Sequence, residues 1–337
     1  MADPAATGSA EDPVPELHVL TRSDLAHVEV APLEVIAAVR EGYLALARGE
    51  SRNPAKLMMP LPVTERDAVS YAMLGYDAPT QHLGFKTSYR QGSDTRDKYY
   101  TILSLYDDTT GLPYAMLDGD TVGSCRTPAT TALIAQACAR PDARSVLMIG
   151  TGVQGLNTLP YLASLLPHLS TFRFFGTHPT GIASTIERFA GHHPDRELER
   201  VDNVPRAVEE SDIVVAASGR AAHPKVETAW LKPGGLMISV SSKGVADSAL
   251  ADADYALATS EGQLGVTGTR FNTADRRARI DTELPPVLAG THVGRRSPDD
   301  RVFAFSSGMI ITDIPVGHLF ATRAVAQGLG RRIALWS

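Results

Sequence analysis

Apolar residues follow two rhythms along this chain of 337 residues. Leu33, Val35, Ile36, Val39, Tyr43, Leu44 and Leu46 recur at mostly helical spacing and stop near Gly49, which predicts a helix. From Lys56 to Leu117 the pattern changes to short runs broken by Pro, Gly and Asp: LMMPLPV, AVSYAMLGY, LGFKTSY, YTILSLYD and LPYAMLD. Thr109–Pro113 reads as a turn between the last two runs, so this region is an expected antiparallel sheet.

Beyond Asp118 the rhythm changes again. Thr127 and Pro128 predict a helix start, a capping residue followed by proline in the first turn, and the apolar pattern continues to Arg140. Five short apolar runs without alternation follow: Ser145–Ile149, Phe172–Phe175, Ile213–Ala217, Leu236–Val240 and Tyr255–Ala258. Runs of this kind suit strands covered on both faces, and helical stretches at Val153–Leu166 and Gly181–Ala190 separate some of them. The alternation predicts a βαβ array with a parallel sheet. A last helical stretch runs from Met309 to about Leu329 with Ile310, Ile311, Ile314, Leu319 and Phe320 on its apolar face. The first fifteen residues, rich in Ala, Pro, Gly and Asp, read as a loose tail.

Composition narrows the possible roles without naming one. Hydrophobic residues make up 43% and charged residues 21%, which excludes disordered and fibrous classes. A formal net charge of -6 argues against a nucleic-acid or anionic-membrane binder. No apolar run has the length of a membrane span, and the N-terminal stretch lacks the basic and apolar regions of a secretory signal. Cys125 and Cys138 form neither a disulfide framework nor a CxxC pattern, and His192-His193 lies without partners at metal-ligand spacing. A soluble cytoplasmic protein without a bound metal is the expectation.

One loop carries chemistry. Gly150-Thr151-Gly152-Val153-Gln154-Gly155 is GxGxxG, with an expected strand leading in and a helix leading out. In that context Gly150 permits the tight turn, Gly152 lets the backbone approach a pyrophosphate, and Gly155 lets helix and strand pack closely. Amides at the helix start then face the anionic cofactor. The second strand of the array ends in Gly176-Thr177-His178, with no acid to hold the ribose hydroxyls of NAD. Thr177 and His178 suit a 2′-phosphate, so NADP(H) is expected over NAD(H).

Several further motifs together resemble the ornithine cyclodeaminase/mu-crystallin family. They are Gly111–Gly119 (GLPYAMLDG), Arg126-Thr127, Gly150–Gly155, Ala207–Val215, Trp230–Gly234, Leu288–Gly290, and Phe305–Gly308 with Asp313. The likeness spans about Leu33 to Ala326. It implies a homodimer with a Rossmann-type, doubly wound parallel sheet and a discontinuous α+β dimerisation and substrate domain. On that basis the division is a tail at 1–15, the discontinuous domain at 16–124 and 305–337, and the dinucleotide-binding domain at 125–304.

The resemblance also assigns candidate site residues. Lys86, in GFKTSYRQG, matches the family's lysine that faces the substrate, and Arg126 matches the arginine that grips the substrate carboxylate. Arginine suits that task because its planar fork donates two parallel hydrogen bonds, and the expected helix start at Thr127 adds positive potential. Lys56 stands where family members usually carry arginine, so it is a third candidate for the carboxylate. Arg90, Arg96, Lys98, Tyr99 and Tyr100 either extend this site or form a solvated loop. Cyclodeaminases of the family place an aspartate shortly after the strand that corresponds to Leu236–Val240; here the triplet is Ser241-Ser242-Lys243. Lysine cannot replace a carboxylate, although a buried lysine with a lowered pKa can move protons, so Lys243 is either catalytic or a lysine at the pocket rim.

These departures point away from cyclodeamination. The expected activity is an NAD(P)H-dependent reduction of an imine next to a carboxylate, or the reverse oxidation of an amine, on an amino-acid-like substrate, with Lys86 and Lys243 as proton-handling candidates. Natural-product assembly is among the settings of the family's branches. One alternative is an ornithine- or lysine-type cyclodeaminase that releases ammonia with recycled NAD. Another is a protein that holds NADPH and a small ligand without turnover.

Overall fold

The computed structural model describes residues 15–62, 64–92, 98–219, 223–240, 244–272 and 278–336. The chain opens with β1 (Leu17–Leu20), α1 (Arg22–Leu25) and α2 (Pro32–Ala47). Five strands follow: β2 (Leu57–Pro60), β3 (Ala68–Asp77), β4 (His82–Gln91), β5 (Lys98–Asp107) and β6 (Leu112–Asp118). After α3 (Gly119–Cys138) come β7 (Ser145–Ile149), α4 (Val153–Leu165), β8 (Thr171–Phe175), α5 (Pro179–His192) and β9 (Leu198–Arg200). Next are α6 (Val204–Glu210), β10 (Ile213–Ala216), β11 (Leu236–Val240), β12 (Tyr255–Ala258), α7 (Glu261–Thr267), β13 (Thr282–Glu283) and α8 (Leu284–Leu288). The chain closes with β14 (Val302–Ser306), α9 (Ile310–Ala326) and β15 (Arg331–Ile333).

Among the described residues these strands form two sheets. The first has the order β15-β1-β6-β5-β4-β3-β2, antiparallel except where β1 runs parallel to β6. The long strands β3 and β4 pair from Ala68↔Gln91 to Asp77↔His82 without a slip. Alternation along them separates two faces. The inner face carries His82, Gly84, Lys86 and Ser88, which are buried. The outer face carries Leu74, Phe85, Tyr89, Tyr100, Ile102 and Tyr106, all exposed.

Helix α9 lies directly on the inner face. A Cβ at Gly75 would strike Ile310, and one at Gly84 would strike Ile314. The two glycines are therefore what lets the helix backbone come down onto the sheet. That descent brings the first turn of α9 over Lys86.

The second sheet has the order β13-β12-β14-β11-β10-β7-β8-β9, and its strand pairings among the described residues are all parallel. Strands β7, β10, β11, β12 and β14 are buried along their whole length, which accounts for their unbroken apolar sequences. Chain order reverses between β7 and β10. A crevice at the carboxyl ends of the strands is placed at such a switch point. No described helix is long and apolar enough to cross a membrane.

One expectation is corrected. The helix does not begin at Thr127-Pro128; it starts at Gly119, and the Asp118 side chain caps it by accepting from the Thr121 amide at 3.0 Å. Pro128 sits inside the helix, where it removes one backbone hydrogen bond. Burial of Val122, Ala129, Ala132 and Leu133 offsets that loss, because α3 packs against α2, α4 and α9. Arg126 is therefore the eighth residue of α3, about two turns in, and the potential of a helix start does not act on it.

Candidate active site

The site is organised by one carboxylate. Asp313, in the first turn of α9, is fully buried. Its Oδ1 accepts from Lys86 Nζ at 2.7 Å and from Arg126 Nε at 2.9 Å. Lys86 comes from β4 and is only 7% exposed, while Arg126 comes from α3. Burial pushes the Asp313 carboxyl upward, but Arg126 and Lys86 outweigh it and hold the group below the usual carboxylate range. Asp313 Oδ2 has no hydrogen-bond partner among the described residues. Gly308 lets the chain pass close to the Arg126 guanidinium, since a Cβ there would stand 2.5 Å from Nη2.

A third cation arrives from the other side. Lys56 Nζ donates to Ser307 Oγ at 3.1 Å, and the same oxygen is 3.0 Å from Thr267 Oγ1. Thr259 fixes the Ser307 backbone from both sides, donating to its carbonyl at 2.9 Å and accepting from its amide at 3.0 Å. The buried Gln263 amide clasps the chain around Ala55. It donates to the Pro54 carbonyl at 3.3 Å and accepts from the Lys56 amide at 3.5 Å. Desolvation, helped by Arg126 and Lys86, lowers the Lys56 ammonium to about 8. Among the described residues Lys86 and Arg126 bond Asp313, Lys56 bonds a hydroxyl, and the neighbouring Asp120 is paired with Arg22, so the cluster keeps an excess of positive charge that suits an anionic ligand.

The glycine loop adjoins this cluster. Gly150 has φ +114°, a left-handed conformation, and a Cβ there would stand 2.8 Å from the Ser218 amide. A Cβ at Gly155 would strike the Gly150 carbonyl, so this glycine permits the close approach of α4 to the strand end. Gly152 caps α4 without a side-chain hydrogen bond, and nothing lies within 4 Å of where its Cβ would be. Amides of the first helical turn have no partners within the helix. An open, glycine-lined helix start of this kind fits the pyrophosphate of a dinucleotide. Thr151 is wedged against Gly176 and Gly181, either of which would strike it if it carried a Cβ. Gln154 Nε2 donates to the Gly123 carbonyl at 3.4 Å, and a Cβ on Gly123 would lie 3.9 Å from Lys86 Nζ. The loop and the cations are therefore one turn of α3 apart.

The structure brings Lys56, Lys86 and Arg126 together and sets Gln154 beside them. Thr177 and His178 are exposed at the β8–α5 junction, and His178 makes no side-chain capping bond. Lys243, with Ser241 and Ser242, lies outside the described residues, as does Arg96. Arg90 is occupied by the Gly92 carbonyl and by Asp67 at 3.6 Å, and Tyr99 and Tyr100 are exposed. In the sequence Asp313 and Ser307 stand out only as parts of one motif, and nothing there marks Thr259, Gln263 or Thr267 as partners. The signal for Asp313 was an acid inside the apolar run IITDIPVG.

Replacing Asp313 by Asn tests the organising role. Loss of a partner from a buried ion pair costs about 3–5 kcal/mol, and urea unfolding at pH 7 should show a deficit of that order. The Asp313 contribution is complete above the unfolded carboxyl value, near 3.8, and disappears as pH falls through the lower folded value. The gap between wild type and Asp313→Asn should therefore narrow below pH 4. A gap that is absent at pH 7, or that stays constant into acid, would contradict this role.

Residues 16–328 match the ornithine cyclodeaminase/mu-crystallin family. The nodulation efficiency protein NfeD of Rhizobium meliloti is 24% identical over 318 residues, covering 92% of this chain and 96% of that protein. The Δ1-pyrroline-2-carboxylate/Δ1-piperideine-2-carboxylate reductase of Azospirillum brasilense is 27% identical, over 84% of this chain and 88% of that protein. The fold is similar to Thermococcus litoralis Δ1-pyrroline-2-carboxylate reductase in complex with NADH and L-proline. That match has a TM-score of 0.79 at 21% identity and covers 94% of this chain and 100% of the other. With the match running through both sheets and the whole cationic cluster, the chain belongs to the ornithine cyclodeaminase/mu-crystallin family.

Proposed function

We propose that the protein is an NAD(P)H-dependent oxidoreductase that reduces an imine next to a carboxylate, or runs the reverse amine oxidation, in an amino-acid-like substrate. The observation that carries this reading is the meeting of Lys56, Lys86 and Arg126 around Asp313, beside the Gly150–Gly155 loop. Δ1-Pyrroline-2-carboxylate reductases among the relatives support it. A nicotinamide cofactor, when bound, supplies or accepts the hydride.

The chain's own residues would place the substrate and manage its charge. Asp313 takes Arg126 Nε, which leaves the two Nη groups to grip a carboxylate. Lys56 adds a second contact to that carboxylate. Lys86 spends one N–H on Asp313 and keeps others for the substrate, where it holds a proton near the imine nitrogen. Lys243 is the other candidate to hold that proton. Gly150, Thr151, Gly152, Val153, Gln154 and Gly155 would cradle the pyrophosphate. Thr177 and His178, exposed where an acid would exclude a 2′-phosphate, favour NADP(H).

The exposed apolar face of the first sheet supports a homodimer, in which Leu74, Phe85, Tyr100 and Ile102 would be covered by a second copy. The two separate sheets support the division into a discontinuous unit, 16–124 with 305–337, and a nucleotide unit, 125–304. A cytoplasmic location belongs to the same reading.

Three measurements test these points. Purified protein with a pyrroline-2-carboxylate should consume NADPH faster than NADH, followed at 340 nm; no turnover of this or of a panel of 2-oxo acids with amines would refute the reductase. Ammonia release from ornithine without net NADH change would instead favour a cyclodeaminase. For Lys56, kcat/KM for the carboxylate substrate should fall as pH rises through about 8, because protonated Lys56 attracts the carboxylate and the neutral amine does not. Lys56→Arg should move that fall to higher pH, since arginine stays charged; an unmoved limb would remove Lys56 from binding. Sedimentation should give twice the chain mass, and Phe85→Asp with Ile102→Asp should give monomer.

A further inference from the structure

We propose that Met58, Tyr71 and Met73 form the subsite for the substrate's side chain, and that it selects imino and amino acids with an apolar side chain. This rests on the reading of Lys56, Lys86 and Arg126 as the carboxylate site. The argument starts from register. Strand pairing aligns Met73, Lys86 and Leu103 in one row of the inner face, and the residue before β2 that continues this row is Lys56. The next row, about 7 Å along the strands, aligns Met58, Tyr71, Ser88 and Thr101.

Cover differs along these rows. Helix α9 packs on the inner face at Gly75 and Gly84, and its Asp313 reaches Lys86. Past Lys86 the cover comes from the start of α3. A Cβ at Gly119 would strike Thr101, whose hydroxyl lies 3.1 Å from Ser88 Oγ and also bonds the Asp120 side chain, so that half of the row is closed. The other half, toward the edge strand β2, is left open by the described residues: Met58 is 40% exposed and Tyr71 is partly exposed. An uncovered inner face directly beside the cations is a wall for whatever extends from the substrate's carboxylate-bearing carbon.

Its chemistry is one-sided. Among the described residues Met58, Tyr71 and Met73 have no carboxylate beside them, and the acid at the far end of the row, Asp120, bonds Thr101 and is already paired with Arg22 at 2.8 Å, so a distal ammonium or guanidinium on the open half would find no free counter-charge. Met58 and Tyr71 offer a thioether and a ring face, and Met73 completes an apolar surface between Lys56 and Lys86. Burying a charged side chain against such a wall is disfavoured, while each methylene that reaches it gains affinity.

The test compares imines formed from methylamine and four 2-oxo acids, with NADPH as reductant: glyoxylate, 2-oxohexanoate, 2-oxoglutarate and 2-oxo-5-guanidinopentanoate. The wild-type protein should prefer the 2-oxohexanoate imine by at least about 10-fold in kcat/KM over the acidic and basic ones. Its preference for 2-oxohexanoate over glyoxylate should shrink about 10-fold in Tyr71→Ala and in Met58→Ala. Met58 is exposed enough that its replacement should not compromise folding even if Tyr71→Ala does. Preference for the basic or acidic imine, or an unchanged 2-oxohexanoate-to-glyoxylate ratio in both variants, would overturn the subsite while leaving the reductase reading intact. Turnover of none of the four, nor of a pyrroline-2-carboxylate, would overturn both.

Discussion

A buried carboxylate with no counter-charge would protonate, and Asp313 avoids this by drawing two cations from distant parts of the chain. Lys86 arrives on β4, Arg126 on α3 and Asp313 on α9, so the terminal helix, the first sheet and the helix that leads into the second sheet meet at one oxygen atom. Buried pairs of this type contribute little net stability relative to an apolar core, yet removing one partner is costly. Their main effect is to fix where each partner can be. Here that fixes two cations a short distance from the glycine loop. The net charge of -6 gives no hint of it, because the acids that outnumber the bases lie elsewhere on the surface.

Much of this was legible in the sequence because its signals are local. The fully buried parallel strands read as unbroken apolar runs, Gly150–Gly155 announced its turn, and the short runs between Lys56 and Leu117 marked out the antiparallel strands. Lys86 and Arg126 were found through motif likeness. The misses depend on contacts distant in sequence. Pro128 is a poor interior residue by local rules and is tolerated because α3 is packed against other helices. Strands β1 and β15 are short, and they exist by pairing with each other across nearly the whole chain, Leu17 with Ile333. Gln263 lies 208 positions from Ala55, the residue whose flanking backbone it clasps, and no spacing rule connects them.

The Lys56 arrangement shows how the two sheets depend on one another. Lys56 belongs to the segment before β2, yet the groups that hold it, Ser307, Gln263 and, through Ser307, Thr267 and Thr259, are attached to the second sheet and its connections. A cation of one unit is thus positioned by hydroxyls and an amide of the other. Neutral partners leave its charge uncompensated, which is why desolvation and the neighbouring cations lower its pKa.

The glycines at 75 and 84 have a consequence for how this protein can change over evolutionary time. With the terminal helix seated on bare backbone, almost any side chain introduced at either position would push that helix off the sheet and carry Asp313 away from Lys86. That part of the inner face is closed to variation. The rows beyond it, toward the edge strand β2, are left open by the described residues and tolerate new shapes. One strand pair therefore carries an invariant stretch and an adaptable stretch end to end, and descendants of this chain can acquire new substrates without disturbing the groups that act on them.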